Sequence, residues 1–588
     1  MSQIGLGTLI LTGANTHTGA TIISAGTLQI GNASTTGSIA GDILDNKSLV
    51  FSRSDNLTYA GAISGTGNVT KLNAGILSLT GANTSTGVLT ISAGTLQIGN
   101  GSSTGSIVGN VTDNSILAFN RSDSVTYAGI ISGAGTVNQM GVGTLVLSGA
   151  SIYPGQTTIS SGTLQIGNGS ATGSVVANIT DNAALAFNRS DDLTYAGVIS
   201  GIGTLTKLGA GTLTLTGANT YSGRTTITAG TLQVSSAFAL QNSTLVYDYV
   251  SPNHAPMLTF GTPTTVTLGG LTGSFAGVST AAQTIALINS SSQPIALLVG
   301  NNNESTTYGG NLSGSGSLTK TGSGTLTLMG SNTYTGGTTV SGGTINIANP
   351  NALPNGPLTV TGGTVSLSSV LTVNNLALTN GIVDIKDKGL IVNYSSTSPA
   401  SAIRNYLITS YGPGNWSGTT GITSSAANAD TSHHHTLAYA DAAAMGITSL
   451  DGQTITGNAV LVKYTYPGDS NLDGIVDLDN DFSLFVDGYN KQISNPGALN
   501  AGNLWVNGDY NYDGTTNLDN DFSIFVDSYA TYTQNPAQLA QLNAIINSMD
   551  LTTAQKNQLL SVVPEPGTWV LAAISIAGLS LGRKRRRD

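Results

Sequence analysis

Residues Gly7–Asn15 read GTLILTGAN, and the phrase returns as GILSLTGAN at Gly75–Asn83, GTLVLSGAS at Gly143–Ser151 and GTLTLTGAN at Gly211–Asn219. Each step is 68 residues. A second marker, GTLQ, starts at Gly26, Gly94, Gly162 and Gly230, and a third, TYAG, sets Tyr59, Tyr127 and Tyr195 in the same phase. Three markers in phase define a structural period. Within it, short apolar/polar alternations are separated by Gly, Asn and Ser turns, and pairs such as Leu9/Leu11 and Leu77/Leu79 fall on one strand face. The unit divides into three turns of about 23 residues, a length that suits one coil of a parallel β-helix with coils about 4.8 Å apart. The recurring leucines are then expected to form an internal ladder, with Asn32, Asn100 and Asn168 stacked at one corner. A meander of antiparallel hairpins is the competing arrangement, but it leaves inner faces without the neighbours that stacked repeats supply.

The composition agrees with a neutral β surface. Only 8% of the 588 residues are charged and 77 are glycine. Cysteine is absent, which excludes disulfides, thiolate metal sites and cysteine nucleophiles. The net charge of −10 is uneven: eleven aspartates lie between Asp469 and Asp527, while five of the nineteen basic residues are Arg583–Arg587. No basic stripe is present to follow a phosphate backbone, so nucleic acid is excluded as a partner.

The phase breaks near residue 240 and returns over Gly309–Ala348, which places irregular coils between Tyr249 and Gly300. Ile4–Asn15 corresponds to Leu208–Asn219, so the chain starts in mid-repeat, and upstream coils with a signal peptide are expected before it. The segment GAGTLTLTGANTYSGRTTITAGTLQ (Gly209–Gln233) and its copies resemble the autotransporter-associated β-strand repeat of large bacterial surface proteins. That resemblance implies a right-handed β-helix and export, with no single activity. The chain shows no closing set of amphipathic strands able to form a membrane barrel.

From Ser401 to Tyr466 the texture changes, and a small α+β cap is expected. His433, His434 and His435 are adjacent, so their side chains do not converge on a metal, and Trp416 is read as a buried anchor in preference to a sugar platform.

The strongest chemical signal is GDSNLDGIVDLDNDFSLFVDGYN, repeated forty residues on as GDYNYDGTTNLDNDFSIFVDSYA. Asp469, Asn471 and Asp473 take positions 1, 3 and 5 of a calcium loop, Gly474 permits the turn, Ile475 offers its carbonyl and Asp477 follows at position 9. Asp509, Asn511, Asp513, Gly514, Thr515 and Asn517 repeat the pattern. Position 12 carries Asn480 and Asn520, so the closing carboxylates are expected to be Asp481 and Asp521, one residue late, with Asp479 or Asp519 as alternatives. The paired loops and helices resemble type I dockerin repeats, EF-hand-like modules. The resemblance implies calcium-dependent folding and a cohesin-like partner; the departure at position 12 bears on partner binding more than on metal binding.

The chain ends VPEPGTWVLAAISIAGLSLGRKRRRD. Trp569–Leu581 is apolar but short for a bilayer, and the basic cluster after it favours the cytoplasmic side. The tail resembles a PEP-CTERM sorting signal, with Pro564, Glu565 and Pro566 as its core. By that resemblance it is a temporary inner-membrane hold that an exosortase-type enzyme cleaves.

The expected order is β-helix repeats over 1–248 and irregular then regular coils over 249–400. A connecting cap (401–466), paired calcium loops (467–533), a helical segment (534–563) and the sorting signal (564–588) follow. Catalysis is not expected: Arg53-x-Asp55 recurs at Arg121 and Arg189 as a copied, stabilising pair, and His17 and His254 lack partners. The expected role is that of an exported structural or adhesive surface protein that meets extracellular polysaccharide or a neighbouring surface protein. A dockerin-type assembly component and a β-helix polysaccharide lyase or hydrolase are the alternatives.

Overall fold

The computed structural model describes residues 1–248, 257–273, 284–495, 497, 499, 504–533 and 536–563. Two units are distinguished, one ending at Leu326 and the other starting at Thr327.

The first unit is a parallel β-solenoid. Its strands are mostly two to five residues long, and each pairs in parallel with the strand one coil on. One ladder runs Leu9, Leu28, Leu49, Val69, Leu89, Val111, Ile131. The steps lie between 19 and 22 residues, shorter than the expected 23. A 68-residue repeat therefore winds about three and one third turns, not three.

That third of a turn corrects the expected ladders. Leu9, Leu77 and Leu145 lie in three different sheets, so the equivalent leucines of successive repeats do not stack on one another. The apolar ladders are built from different motif positions that happen to share inward orientation. Asn32 lies within a strand of one sheet, whereas Asn100 and Asn168 follow strands of two others, so the three share no corner. The asparagines that do hold a corner are those of the GAN phrase. Asn83 accepts from the Ile63 N–H at 2.9 Å and donates to the Ser106 carbonyl at 2.9 Å. Asn219 repeats this with Ile199 and Ala239.

The core is a column of Leu, Ile and Val sealed by aromatic pairs. Tyr59, Tyr127 and Tyr195 each donate a hydroxyl to a carbonyl of the coil below, at Gly41, Gly109 and Ala177. Each ring leans on Phe51, Phe119 or Phe187 at 5.5–5.9 Å. Where a lysine or glutamine side chain turns inward it meets corner carbonyls: Lys71 Nζ donates to the carbonyls of Leu72, Asn73 and Ala93. Gln139 does the same work for Gly141 and Gly143 without a charge.

The recurring Arg-x-Asp pairs are stabilising contacts. Each aspartate reaches solvent, but the arginine is tucked in and also donates to a corner carbonyl, Gly37 for Arg53 and Gly173 for Arg189 at 2.6 Å each. It thereby fastens the polar loop that follows GTLQIGN. The expected irregular coils lie partly outside the described residues. Strands within them continue the ladders with wider spacing, as in Leu232↔Leu258 and Val266↔Leu297.

The second unit begins with further parallel coils, such as Thr338↔Leu358↔Leu376 and Ile345↔Val365↔Val383. The α+β cap closes them. Strand Ala459–Thr465 pairs antiparallel with both Leu390–Asn393 and Thr436–Asp441, which ends the parallel order. Helix Ala400–Tyr411 packs beside Gly421–Thr423. Among the described residues four helices follow: Asp481–Ser494, Asp521–Thr533, Pro536–Ser548 and Thr553–Val562. Thr552 caps the last through a reciprocal capping box with Gln555. Among the described residues no helix is long and apolar enough to cross a membrane.

Candidate functional site

Both acidic loops fold as tight turns that lead into a helix. Gly474 and Gly514 adopt positive φ, as do Leu472 and Tyr512 at position 4, a backbone state that costs a side-chain-bearing residue energy. In the first loop the Asp473 N–H donates to Asn471 Oδ1 at 2.9 Å, and the Ile475 N–H to Asp473 Oδ1 at 2.8 Å. The second loop repeats both bonds, from Asp513 to Asn511 and from Thr515 to Asp513.

The carboxylates one residue late, Asp481 and Asp521, accept backbone bonds from across their turns. Asp481 is fully buried; its Oδ1 accepts from the N–H of Ser470 at 2.8 Å and its Oδ2 from that of Asp477 at 2.8 Å. Asp521 receives the equivalent bonds from Tyr510 and Asn517, each at 3.0 Å. Asn480 and Asn520 sit one residue before the helices and bond back to Asp477 and Asn517 instead. Burial pushes the carboxyl of Asp469 up to about 6, that of Asp481 to about 7 and that of Asp521 to about 8, against the backbone hydrogen bonds that favour their charged forms.

Asp469 is where the loop's donor set has room. Its Oδ2 accepts from the Gly474 N–H at 3.0 Å and from the Thr465 hydroxyl, while Oδ1 is buried with no hydrogen-bond partner. An ionised oxygen left so is costly unless a cation meets it. Oxygen-only donors of this kind suit a hard ion such as Ca²⁺. The remaining expected ligands are engaged with one another, and among the described residues no three His, Asp or Glu side chains are gathered tightly enough to hold a metal as they stand.

The second loop differs in one partner. Arg404, from the cap helix, donates to Asp509 Oδ2 at 2.8 Å and to the Tyr512 carbonyl at 3.0 Å. Burial raises the Asp509 carboxyl and the guanidinium opposes that rise. Tyr512 also donates its hydroxyl to the Leu437 carbonyl at 2.6 Å, and its ring lies among Tyr411, Trp416, Tyr439 and Trp505. Residue spacing gave no sign of this docking. The one signal was rarity: Arg404 is the one arginine between Arg224 and Arg583.

Trp416 is the buried anchor expected of it, with Nε1 donating to Thr436 Oγ1 at 3.2 Å. His435 has a carboxylate partner that adjacency hid: Nδ1 lies 2.9 Å from Asp430 Oδ2, and the ring stacks on Tyr464 at 4.9 Å. Burial pushes Asp430 up, but hydrogen bonds from Ser432 and His435 outweigh it and hold the carboxyl well below the usual range. This dyad faces tyrosines and gathers no metal-ligand set. Pro564, Glu565 and Pro566 lie outside the described residues.

Five segments match the model of the passenger-associated-transport-repeat: residues 2–30, 69–98, 137–166, 205–234 and 318–347. The first four follow the 68-residue period, and the fifth falls where the phase returns. A 200-residue stretch is 38% identical to the adhesin BmaC autotransporter of Brucella suis biovar 1 (strain 1330). That alignment takes in 30% of this chain and 6% of the adhesin, so the chain spans a small part of that relative's length. No solved structure matches.

Proposed function

We propose that this chain is an adhesive, structural part of an exported surface protein and carries no enzyme activity. The observation that supports the reading best is the similarity of a 200-residue stretch to an adhesin. The solenoid agrees: its outward rows are Thr, Ser, Gln and Asn, as in Thr90, Gln97, Thr158 and Gln165. Such rows offer many weak hydrogen-bonding groups to a hydroxyl-rich polymer such as extracellular polysaccharide, or to a neighbouring surface protein. The charged pairs that a lyase or glycosidase needs are copied and engaged with backbone, which disfavours a catalytic role.

The calcium reading belongs to the same proposal. A Ca²⁺ ion would be held by Asp469, Asn471, Asp473, the Ile475 carbonyl, Asp477 and Asp481, and the buried free oxygen of Asp469 supports it. The ion would stiffen the end of the chain next to the cap. A cohesin-like partner would meet those helix faces of the module that the cap leaves open.

Sedimentation of the calcium-loaded chain with the producer's own extracellular polysaccharide tests the main reading. Co-sedimentation without new reducing or unsaturated ends is expected; new chain ends would overturn it. The tail is proposed to act as the sorting signal of an exosortase-type enzyme. Glu565→Ala should leave uncleaved chain in the inner-membrane fraction, and normal processing of that variant would remove the assignment.

A further inference from the structure

The two acidic loops are near copies with unequal electrostatics. Their closing carboxylates, Asp481 and Asp521, accept equivalent backbone bonds. The difference lies at position 1. Asp469 keeps a buried oxygen without a partner, whereas Asp509, equally buried, is paired with a guanidinium that is itself only 12% exposed. Lys463 approaches the first loop too, but its Nζ bonds the Leu472 carbonyl at 2.7 Å and makes no ion pair with Asp469. Both loops thus have a basic side chain on the position-4 carbonyl. Only the second has one on the position-1 carboxylate.

A guanidinium is always charged and its loss of hydration must be offset by its partners. Arg404 and Asp509 meet that condition in part for each other; the Tyr512 carbonyl adds a further acceptor, while Arg404 Nε is left buried with no hydrogen-bond partner. A divalent ion entering the second loop would have to share or displace this carboxylate against a fixed positive charge at close range. We propose that Arg404 is the built-in counter-cation of the second loop, so that the module takes up one tight Ca²⁺, in the Asp469 loop, while the Asp509 loop is locked onto the chain's own cap. This rests on the calcium reading above. It also assigns the Tyr512 face of the second loop an intramolecular partner, the cap formed by Tyr411, Trp416, Leu437 and Tyr439.

The test is a calcium titration of the full chain by calorimetry, with native mass spectrometry to count ions. One tight ion per chain is expected. Asp473→Asn should weaken that ion by about tenfold or more, because it removes a charged ligand. Asp513→Asn should leave both the count and the affinity as they were. Arg404→Gln should raise the count to two, and Arg404→Lys should keep it at one. Two ions of similar affinity in the unaltered chain would overturn the inference and leave the calcium reading standing. So would a loss of binding in Asp513→Asn equal to that in Asp473→Asn. No bound ion at all would overturn both. If Arg404→Gln fails to fold, the Asp473 and Asp513 variants decide without it.

Discussion

Gly143→Ala is expected to destabilise the first unit strongly, while Gly7→Ala, at the same position of the same motif, leaves it unchanged. Both glycines open a GTL phrase, and neither needs a left-handed backbone. They differ in what lies beneath them. A Cβ on Gly143 would overlap the carbonyl oxygen of Asp123, well inside the 3.0 Å that Cβ atoms keep from other heavy atoms, and the obstacle is backbone, which cannot swing aside. Gly75 and Gly211 meet the equivalent carbonyls of Asp55 and Asp191. Around Gly7 nothing lies within 4 Å. Relief at Gly143 requires adjacent coils to part, and each coil is hydrogen-bonded on both sides: the Gly143 N–H donates to Arg121 and the Gly143 carbonyl accepts from Thr163. Overpacking typically costs about 1–3 kcal/mol, and a backbone obstacle puts Gly143 at the upper end, which lowers a melting midpoint by about 4–5 °C in a unit of this size. Thermal unfolding followed by circular dichroism, with amide exchange across the neighbouring coils, measures it. Equal melting of Gly143→Ala and the unaltered chain would mean that the coils are not stacked as closely as described.

That contrast shows what the sequence did and did not reveal about the fold. The 68-residue period, the parallel solenoid and the α+β cap were all legible, because glycine turns and alternating leucines leave a direct trace. The coil length was not. A sequence repeat need return only the same local environment, and the successive sheets of this solenoid offer chemically similar environments. Sixty-eight residues can therefore end on a different sheet from the one they began on. The clue was internal to the repeat: GTLIL and GTLQI lie 19 residues apart, as Leu9 and Leu28 do, and they are direct neighbours in the ladder.

The acidic module was legible for similar reasons and incomplete for different ones. The tight turns and the placing of Asp481 and Asp521 against them follow from local spacing, since each turn is made by residues of the same short segment. Arg404 lies 105 residues before Asp509 and meets it only through tertiary packing. His435 and Asp430 were close in sequence, yet the turn that joins them was not foreseen from three adjacent histidines.

Replacing Asp113 and Asp181 together by asparagine is expected to stabilise the first unit above about pH 6 and to flatten its dependence on pH. These residues and Asp45 stand 68 apart, each at the inner end of a strand and each fully buried. One oxygen accepts the N–H two residues on, from Lys47, Ser115 and Ala183 at 2.9–3.0 Å; the other has no partner. The next coil leaves room for the carboxylate only because it places Gly67, Gly135 and Gly203 there. Burial pushes Asp113 and Asp181 up to about 6 and raises Asp45 as well, against backbone hydrogen bonds that favour the anion. A carboxyl with a higher pKa in the folded chain than in the unfolded one binds its proton more tightly when folded. Its contribution is therefore whole below about pH 4 and is lost as the pH climbs through about 6. Asparagine keeps the acceptor for the N–H and never carries the charge. An unpaired buried polar group costs about 1–3 kcal/mol, more when charged, so a gain of about 1–2 kcal/mol per site is expected at pH 8. At pH 4, where the aspartates are neutral, the gain should vanish. The exposed Asp55, Asp123 and Asp191, whose carboxyls their arginines hold down, pull the other way but are common to both proteins and cancel in the comparison. Melting curves of the two proteins between pH 4 and pH 8 decide the matter: parallel profiles would show that these carboxylates reach water or a cation, and converging profiles at low pH that they stand charged and alone in the core at high pH.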